Sequence, residues 1–269
     1  MTRWIHCVAL SAALAFGTVL ALPAEAGGLR VTPLRVDLGP DQRQASLRLQ
    51  NLGNAELPVE VTVLRWSQDA EGIDQYAPAG SLFIAPPIVS IPPGGEQTVR
   101  LALLQLPENG QEASYRVYVE ELAPPAGQQT ATGMHFRMRF GIPTFVAPES
   151  PAPPKLSLDW RRDDSGTLIA RLSNDGGTHL KVTGIELHAG PPPEAGGHLP
   201  KDVRALSTHT EAFYLLPGAS SERHLGPVSA EGPLSLHLLS DYHGRSDQPG
   251  FGGHGHYWFR LRGGTTDTP

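Results

Sequence analysis

The sequence contains a group of histidines that could bind a metal ion. Of its eleven histidines, His237, His243, His254 and His256 lie near one another in the C-terminal part. Neutral imidazoles are common ligands of zinc and copper. However, the pair in His254-Gly255-His256 would supply at most two of the usual four ligands, and the surrounding glycines predict an irregular loop. We therefore predict only adventitious metal binding, and we assign no metal site and no cofactor.

No arrangement of residues predicts catalysis. The sequence has no G-x-S-x-G, no H-E-x-x-H, no phosphate-binding loop and no G-x-G-x-x-G placed between a strand and a helix. The adjacent acids Glu120 and Glu121 would point to opposite faces of a strand and cannot share a site. Asp163 and Asp164 precede Ser165-Gly166 and predict a hairpin turn. These observations indicate a protein that is not an enzyme.

A stretch near the middle of the chain could instead bind another polypeptide. The segment Met134–Phe140 alternates between apolar and basic residues and predicts a strand that stops before Pro143. One face of this strand would carry Met134, Phe136, Met138 and Phe140. Such an apolar row either fills the protein's own core or inserts into a partner. The pattern alone does not choose between the two.

The first 26 residues predict a secretory signal. Arg3 precedes an apolar run from Ile5 to Leu22, and Ala24-Glu25-Ala26 predicts cleavage after Ala26. An uncleaved membrane anchor is the alternative, because the run is nearly long enough to span a bilayer. The only cysteine, Cys7, lies inside this segment, so the mature chain cannot form an internal disulfide. We expect a soluble protein that leaves the cytoplasm.

The remaining composition predicts an all-β protein. The net charge of −6 argues against nucleic acid as a partner, and no later run is apolar enough to insert stably into a membrane. The chain contains 30 glycines and 26 prolines, and it shows no sustained helical period. Turn signals recur between short alternating runs, which is typical of antiparallel sandwiches.

Two sets of predicted strands lie on either side of the proline-rich segment Pro148–Pro154. The first set is Leu29–Leu38, Ala45–Asn51, Pro58–Ser67, Thr98–Leu104, Ala113–Leu122 and Met134–Phe140, with short edge strands expected within Ala70–Gln97. The second set is Lys155–Trp160, Thr167–Asn174, Leu180–His188, Ala212–Leu216, Leu234–Ser240 and Tyr257–Arg262. We predict a signal peptide at 1–26, an immunoglobulin-like domain at 27–147, a hinge at 148–154 and a second immunoglobulin-like domain at 155–269.

Several motifs in this order resemble the PapD-like periplasmic chaperones of pilus assembly. They are PLRVDL followed by ASLRLQN, then APPIVSIPPGGEQTVRL, SYRVYVEEL and IPTFVAP with its proline-rich hinge, and in the second domain GTLIARLSNDGGTHLKVTGIEL and YLLPGAS. The resemblance covers nearly the whole mature chain. It implies two immunoglobulin-like domains set at an angle.

The resemblance implies a function for the apolar row. In this family the chaperone lends its strand to a pilus subunit that lacks its last one, which is donor-strand complementation. The matching positions are Met134, Phe136 and Met138, with Phe140 at the end. The subunit would then pass to an outer-membrane usher, without ATP.

The resemblance also implies an anchor for the subunit's C-terminal carboxylate. Arg35 matches the family's first-strand arginine, and a guanidinium can bind a carboxylate bidentately. The family's partner lysine falls here on Pro143, a departure that suggests the branch assembling archaic-type pili. Arg100 is our first choice for the second anchor, with Arg116 and Arg139 as the other candidates.

The implied partners are pilins and an usher, and the implied location is the periplasm. We also expect that free molecules form a dimer or protect the strand in another way at high concentration, because an exposed apolar strand edge is prone to aggregate. A secreted two-domain binding module, either an adhesin or a metal-binding protein, is the alternative function.

Overall fold

The structure, a computed structural model, describes residues 28–108, 110–123, 137–193, 205–228, 232–242, 251–253 and 255–261. Every regular element in these ranges is a β-strand, as the alternating sequence patterns predict. In the N-terminal part the strands are β1 Leu29–Thr32, β2 Val36–Leu38, β3 Gln44–Asn51, β4 Leu57–Gln68, β5 Asp74–Pro78, β6 Leu82–Ala85, β7 Ile88–Ile91, β8 Glu96–Leu103, β9 Ala113–Glu121 and β10 Arg139–Val146. In the C-terminal part they are β11 Leu156–Arg162, β12 Thr167–Asn174, β13 Leu180–Ala189, β14 Ser207–His209, β15 Phe213–Leu215, β16 Ser220–Pro227, β17 Leu234–Ser240, β18 Phe251–Gly253 and β19 His256–Leu261.

The N-terminal strands form a sandwich of two sheets. One sheet has the order β1-β3-β8-β6, and the other has the order β2-β10-β9-β4-β5 with β7 paired to β4. Alternate residues of each strand point into the space between the sheets. Leu47, Leu49, Val99 and Val117, for example, are completely buried there. This arrangement confirms the predicted all-β sandwich.

Prolines change two of the predicted strands in this sandwich. The predicted strand Leu29–Leu38 divides at Pro33 into β1 and β2, which belong to different sheets. A proline has no amide hydrogen and cannot continue a ladder on both sides. The predicted stop before Pro143 is wrong, because β10 continues through this residue to Val146. Ala70–Gln97 contains three short strands, as expected.

The C-terminal strands form a second sandwich. Its sheets have the orders β11-β12-β16 and β14-β13-β17-β19-β18, with β15 paired to β13. The core between them includes Leu172, Leu187, Leu236 and Tyr257, all completely buried. The strand β16 was not predicted, because its sequence SSERHLGP buries only Ser221 and Leu225 and shows no clear alternation. Within the described ranges no helix is long and apolar enough to cross a membrane.

An aromatic contact joins the two sandwiches. Trp66 of β4 and Phe145 of β10 belong to N-terminal strands, yet both are buried in the core cluster of the C-terminal sandwich. The Phe145 ring stacks on His179, with ring centroids 3.5 Å apart and planes 6° from parallel. Tyr214 packs edge-on against Trp66 at 5.3 Å. These rings hold the two sandwiches in one orientation, because displacing either one would expose them to water.

Polar contacts reinforce this junction. His179 Nδ1 lies 2.6 Å from Glu112 Oε1, and both side chains are more than nine-tenths buried. The Gln68 side chain donates to Tyr214 O at 2.9 Å and accepts from Leu216 N at 3.0 Å. A buried charged or amide group is costly unless it is paired. These pairs therefore favour the same relative orientation as the aromatic stack.

We expect Phe145→Ala to destabilise the protein by about 3–5 kcal/mol, because the change removes a fully buried ring from the junction. Urea denaturation of the mature chain measures this loss. The matched control is Phe83→Ala, since the Phe83 ring is 56% exposed and its removal should cost about 0.5 kcal/mol or less. Equal unfolding midpoints for the two variants would contradict the described packing.

Candidate functional site

The strand β10 has one unpaired edge. It pairs antiparallel with β9 along its whole length, from Arg139 to Val146. On its other side it pairs parallel with β2, but only from Thr144 to Val146. No described strand covers this second edge between Arg139 and Pro143. Pro143 lies where the pairing with β2 stops. Its lack of an amide hydrogen therefore removes no hydrogen bond to β2.

The apolar face of β10 runs past the end of its own core. Alternate residues point to the same face of a strand, and along this face burial falls steadily. Ile142 is 1% exposed, Phe140 is half-buried against the N-terminal core, and Met138 is 39% exposed. Phe140 thus packs partly within its own domain. Met134 and Phe136, the other two predicted members of the row, lie outside the described residues.

The predicted anchor Arg35 lies at the junction between the sandwiches. Its Nε and Nη2 donate to Asp37, at distances between 2.9 and 3.1 Å. Its guanidinium carbon lies 5.1 Å from the centre of the Phe145 ring. The nearest carboxylate oxygen to Nη1 is Asp241 Oδ2 at 3.7 Å, which is too long for a hydrogen bond. Because a guanidinium has five N–H donors, Nη1 can bind a further acceptor.

A second guanidinium lies beside Pro143, on the neighbouring strand β9. Arg116 of β9 pairs directly with Pro143 of β10, and residues opposite each other in a ladder project from the same face. Arg116 therefore supplies a positive charge beside the position that Pro143 leaves uncharged. Its guanidinium lies 3.9 Å from the centre of the Trp66 ring and 6.0 Å from that of Tyr214. Asp74 Oδ2 lies 3.7 Å from Arg116 Nη2.

The other two candidate anchors lie elsewhere. Arg100 is exposed on β8, in the opposite sheet, where it pairs with Ser46 and Ala85. Arg139 begins β10 and forms an ion pair with Glu120 at 3.3 Å. The structure thus brings Arg116 to the junction that holds Arg35, and it does not bring Arg100 there. The sequence signal for Arg116 was its position in SYRVY, which only the pairing of β9 with β10 connects to Pro143.

The charges of two guanidiniums and of the carboxylates of Asp37 and Asp241 act together at the junction. Burial disfavours the charged form of Arg35, but the hydrogen bond to Asp37 and the charges of Asp37 and Asp241 outweigh it and raise the Arg35 pKa. Burial raises the pKa of the Tyr214 hydroxyl, the charges of Asp241 and Asp37 add to this rise, and the charges of Arg35 and Arg116 oppose it. Both guanidinium charges therefore act at the Tyr214 hydroxyl.

The histidines considered as metal ligands are divided between strands and residues that are not described. His243 and His254 lie outside the described residues. His237 lies in the middle of β17, and His256 begins β19 rather than belonging to a loop. Their rings are in contact on one face of the C-terminal sheet.

Comparison with known proteins identifies the N-terminal sandwich. Residues 28–152 match the family described as pili and flagellar-assembly chaperone, PapD N-terminal domain. The N-terminal sandwich is therefore similar to the N-terminal domain of these assembly chaperones over residues 28–152. This family agrees with the prediction that the protein is not an enzyme. No curated protein sequence matches the chain.

Solved structures of pilus chaperones share the two-sandwich fold. One is the CsuC–CsuE chaperone–tip adhesion subunit pre-assembly complex from archaic Csu pili of Acinetobacter baumannii, with a TM-score of 0.60, 18% identity, and coverage of 87% of this chain and 97% of that one. Another is the chaperone–tip adhesin complex of CFA/I fimbriae biogenesis (TM-score 0.53, 14% identity, coverage 87% and 98%). A third is the class 5 fimbriae chaperone CfaA (TM-score 0.56, 15% identity, coverage 88% and 100%). These matches extend the fold assignment over both sandwiches.

Proposed function

We propose that this protein is a periplasmic chaperone that binds secreted pilus subunits by donor-strand complementation and delivers them to an outer-membrane usher. The observation that carries the proposal is the unpaired edge of β10 between Arg139 and Pro143, together with an apolar face that runs past its own core. An exposed edge with an apolar row is unfavourable in a protein without a partner. In a chaperone it is the binding element.

The unpaired edge and the apolar face of β10 would make different kinds of contact with the subunit. The edge offers main-chain N–H and C=O groups to any extended segment, so its hydrogen bonds depend little on the partner's sequence. The side chains Met134, Phe136 and Met138 would enter the subunit core, and each could add about 1.5–3 kcal/mol when fully buried. Phe140, which already packs in its own domain, would mark the boundary between the two cores. Flexible methionines suit several related subunits.

The two arginines at the junction would fix the register of the subunit. Arg35 Nη1 lies 3.7 Å from Asp241 Oδ2, beyond hydrogen-bond distance, and Arg116 projects beside Pro143 at the end of the unpaired edge. A terminal carboxylate bound by both would end the subunit's strand at the point where β2 begins to cover β10. We therefore propose Arg35 and Arg116 as the anchor pair, in place of Arg35 and Arg100.

The comparisons support this function through shared fold. The archaic Csu structure and the CFA/I structure each contain a chaperone bound to a tip subunit. The predicted signal at 1–26 supports a periplasmic location, which is also the compartment that the family resemblance implies. Delivery to an usher follows from the same resemblance.

We expect Phe136→Arg and Met138→Arg to reduce subunit capture at least tenfold, because each change places a charge where an apolar group should enter the subunit core. The measurement is the amount of pilin that co-purifies from the periplasm after co-expression, tested with each candidate pilin. Phe83→Arg is the matched control, because Phe83 is exposed on the other sheet. Unchanged capture by both β10 variants, with normal melting curves, would refute the donor-strand proposal.

We expect Arg35→Gln and Arg116→Gln each to weaken subunit binding about 10-fold to 100-fold, since a charge-assisted hydrogen bond contributes roughly 1.5–3 kcal/mol. Arg100→Gln should change binding less than twofold, because an exposed charge distant from the junction contributes little. Isothermal titration with a peptide copying the subunit's C-terminal strand, as free acid and as amide, isolates the carboxylate. If Arg100→Gln and not Arg116→Gln removes the preference for the free acid, the anchor pair is wrong.

A further inference from the structure

A compact group of histidines and one glutamate lies on the C-terminal sandwich, far along the chain from β10. Glu186 and His188 belong to β13, and His237 of β17 pairs directly opposite Glu186. The neighbouring positions in both strands, such as Leu187 and Leu236, point into the core. The group therefore occupies the outer face of the six-stranded sheet. His188 and His237 are nevertheless only 3% and 8% exposed.

The three side chains direct ligand atoms at one point. Glu186 Oε2 lies 3.2 Å from His188 Nε2 and 3.1 Å from His237 Nδ1. All three atoms lie within 4.8 Å of one another. In a tetrahedral site with zinc–nitrogen bonds of 2.0–2.1 Å, neighbouring ligand atoms are about 3.3 Å apart. The two short distances already match the edges of such a site to within a few tenths of an ångström.

His256 and Trp258 of β19 orient one of the ligands. His237 Nε2 lies 2.8 Å from His256 Nδ1, and the His237 ring stacks on Trp258 at 4.0 Å with planes 1° apart. In metal sites the ligating imidazole commonly donates its other N–H to an acceptor, which fixes the tautomer. Here His256 Nδ1 can accept from His237 Nε2–H, and this leaves the lone pair of Nδ1 directed at the point shared with Glu186.

We propose that Glu186, His188 and His237 form a binding site for a divalent transition-metal ion, with Zn²⁺ as the expected ion. Two imidazoles and one carboxylate suit a metal of borderline softness, whereas Ca²⁺ and Mg²⁺ prefer oxygen ligands alone. Three protein ligands leave a fourth position for water. The Glu186 side chain is 29% exposed, which gives an ion access. The bound ion would tie β13 to β17 and stabilise the C-terminal sandwich, independently of subunit binding.

Isothermal titration of the mature, tag-free, chelator-treated chain with ZnCl₂ tests the site, with MgCl₂ as the ion control. We expect one Zn²⁺ per chain, a higher melting temperature with Zn²⁺, and no heat with Mg²⁺. Glu186→Gln and His188→Gln should each weaken Zn²⁺ binding at least tenfold, since even indirect partners of a metal contribute this much. Glu186 is partly exposed, so its variant should fold even if His188→Gln does not.

Two control variants separate this site from adventitious binding. His224→Gln changes an exposed histidine on β16 and should leave Zn²⁺ binding unchanged. The double variant His243→Ala/His254→Ala removes the other histidines near the C-terminus and should also bind normally. Cu²⁺ should quench the emission of Trp258, and Trp258→Phe should lose this quenching but still bind. The proposal is overturned if the chain binds no stoichiometric Zn²⁺, or if the double variant loses binding while Glu186→Gln keeps it.

Discussion

The packing of Trp66 and Phe145 against His179 and Tyr214 is the contact on which the candidate site depends. These rings close the junction between the sandwiches, and they also form the surface on which the guanidiniums of Arg35 and Arg116 lie. The attraction between a cation and an aromatic ring is stronger where water is excluded. The same rings therefore fix the domain orientation and hold two positive charges side by side, where we propose that a subunit's carboxylate binds.

The second constraint is that β10 has a strand on both sides along only part of its length. From Thr144 onward the strand lies between β9 and β2, and before Pro143 β9 is its only partner among the described strands. Pro143 is tolerated where the pairing with β2 ends, because the strand needs no backbone N–H donor on that side at this position. The apolar face leaves its own core over the same few residues. Main chain and side chains thus become available together, which is what a strand needs if it is to complete another protein.

The sequence predicts the fold well where alternation is strong and poorly where it is weak. The two all-β sandwiches follow from runs such as Ala113–Leu122, whose buried positions alternate as expected. The strand β16 has no such pattern and was missed. The division of Leu29–Leu38 and the continuation of β10 through Pro143 depend on which neighbour covers each edge. A single strand's sequence does not contain that information.

The sequence alone also could not predict those site residues whose position depends on the pairing of neighbouring strands. Arg35 was predicted from its motif, whereas we propose Arg116 as the second anchor because β9 places it opposite Pro143. Arg100 has the stronger motif but lies on the other sheet. Similarly, His237 was noticed in the C-terminal cluster of histidines. Its partners Glu186 and His188 come from β13, about 50 positions earlier in the chain, and only the sheet register brings them together.

Hydrogen exchange of the main chain, with and without a co-purified subunit, tests the central claim most directly. We expect the amides of β10 before Pro143 that point away from β9 to exchange quickly in the free protein and to become protected in the complex. The edge strand β6, on the other sheet, should exchange at the same rate in both states. Protection of β6 with no change along β10 would contradict the account.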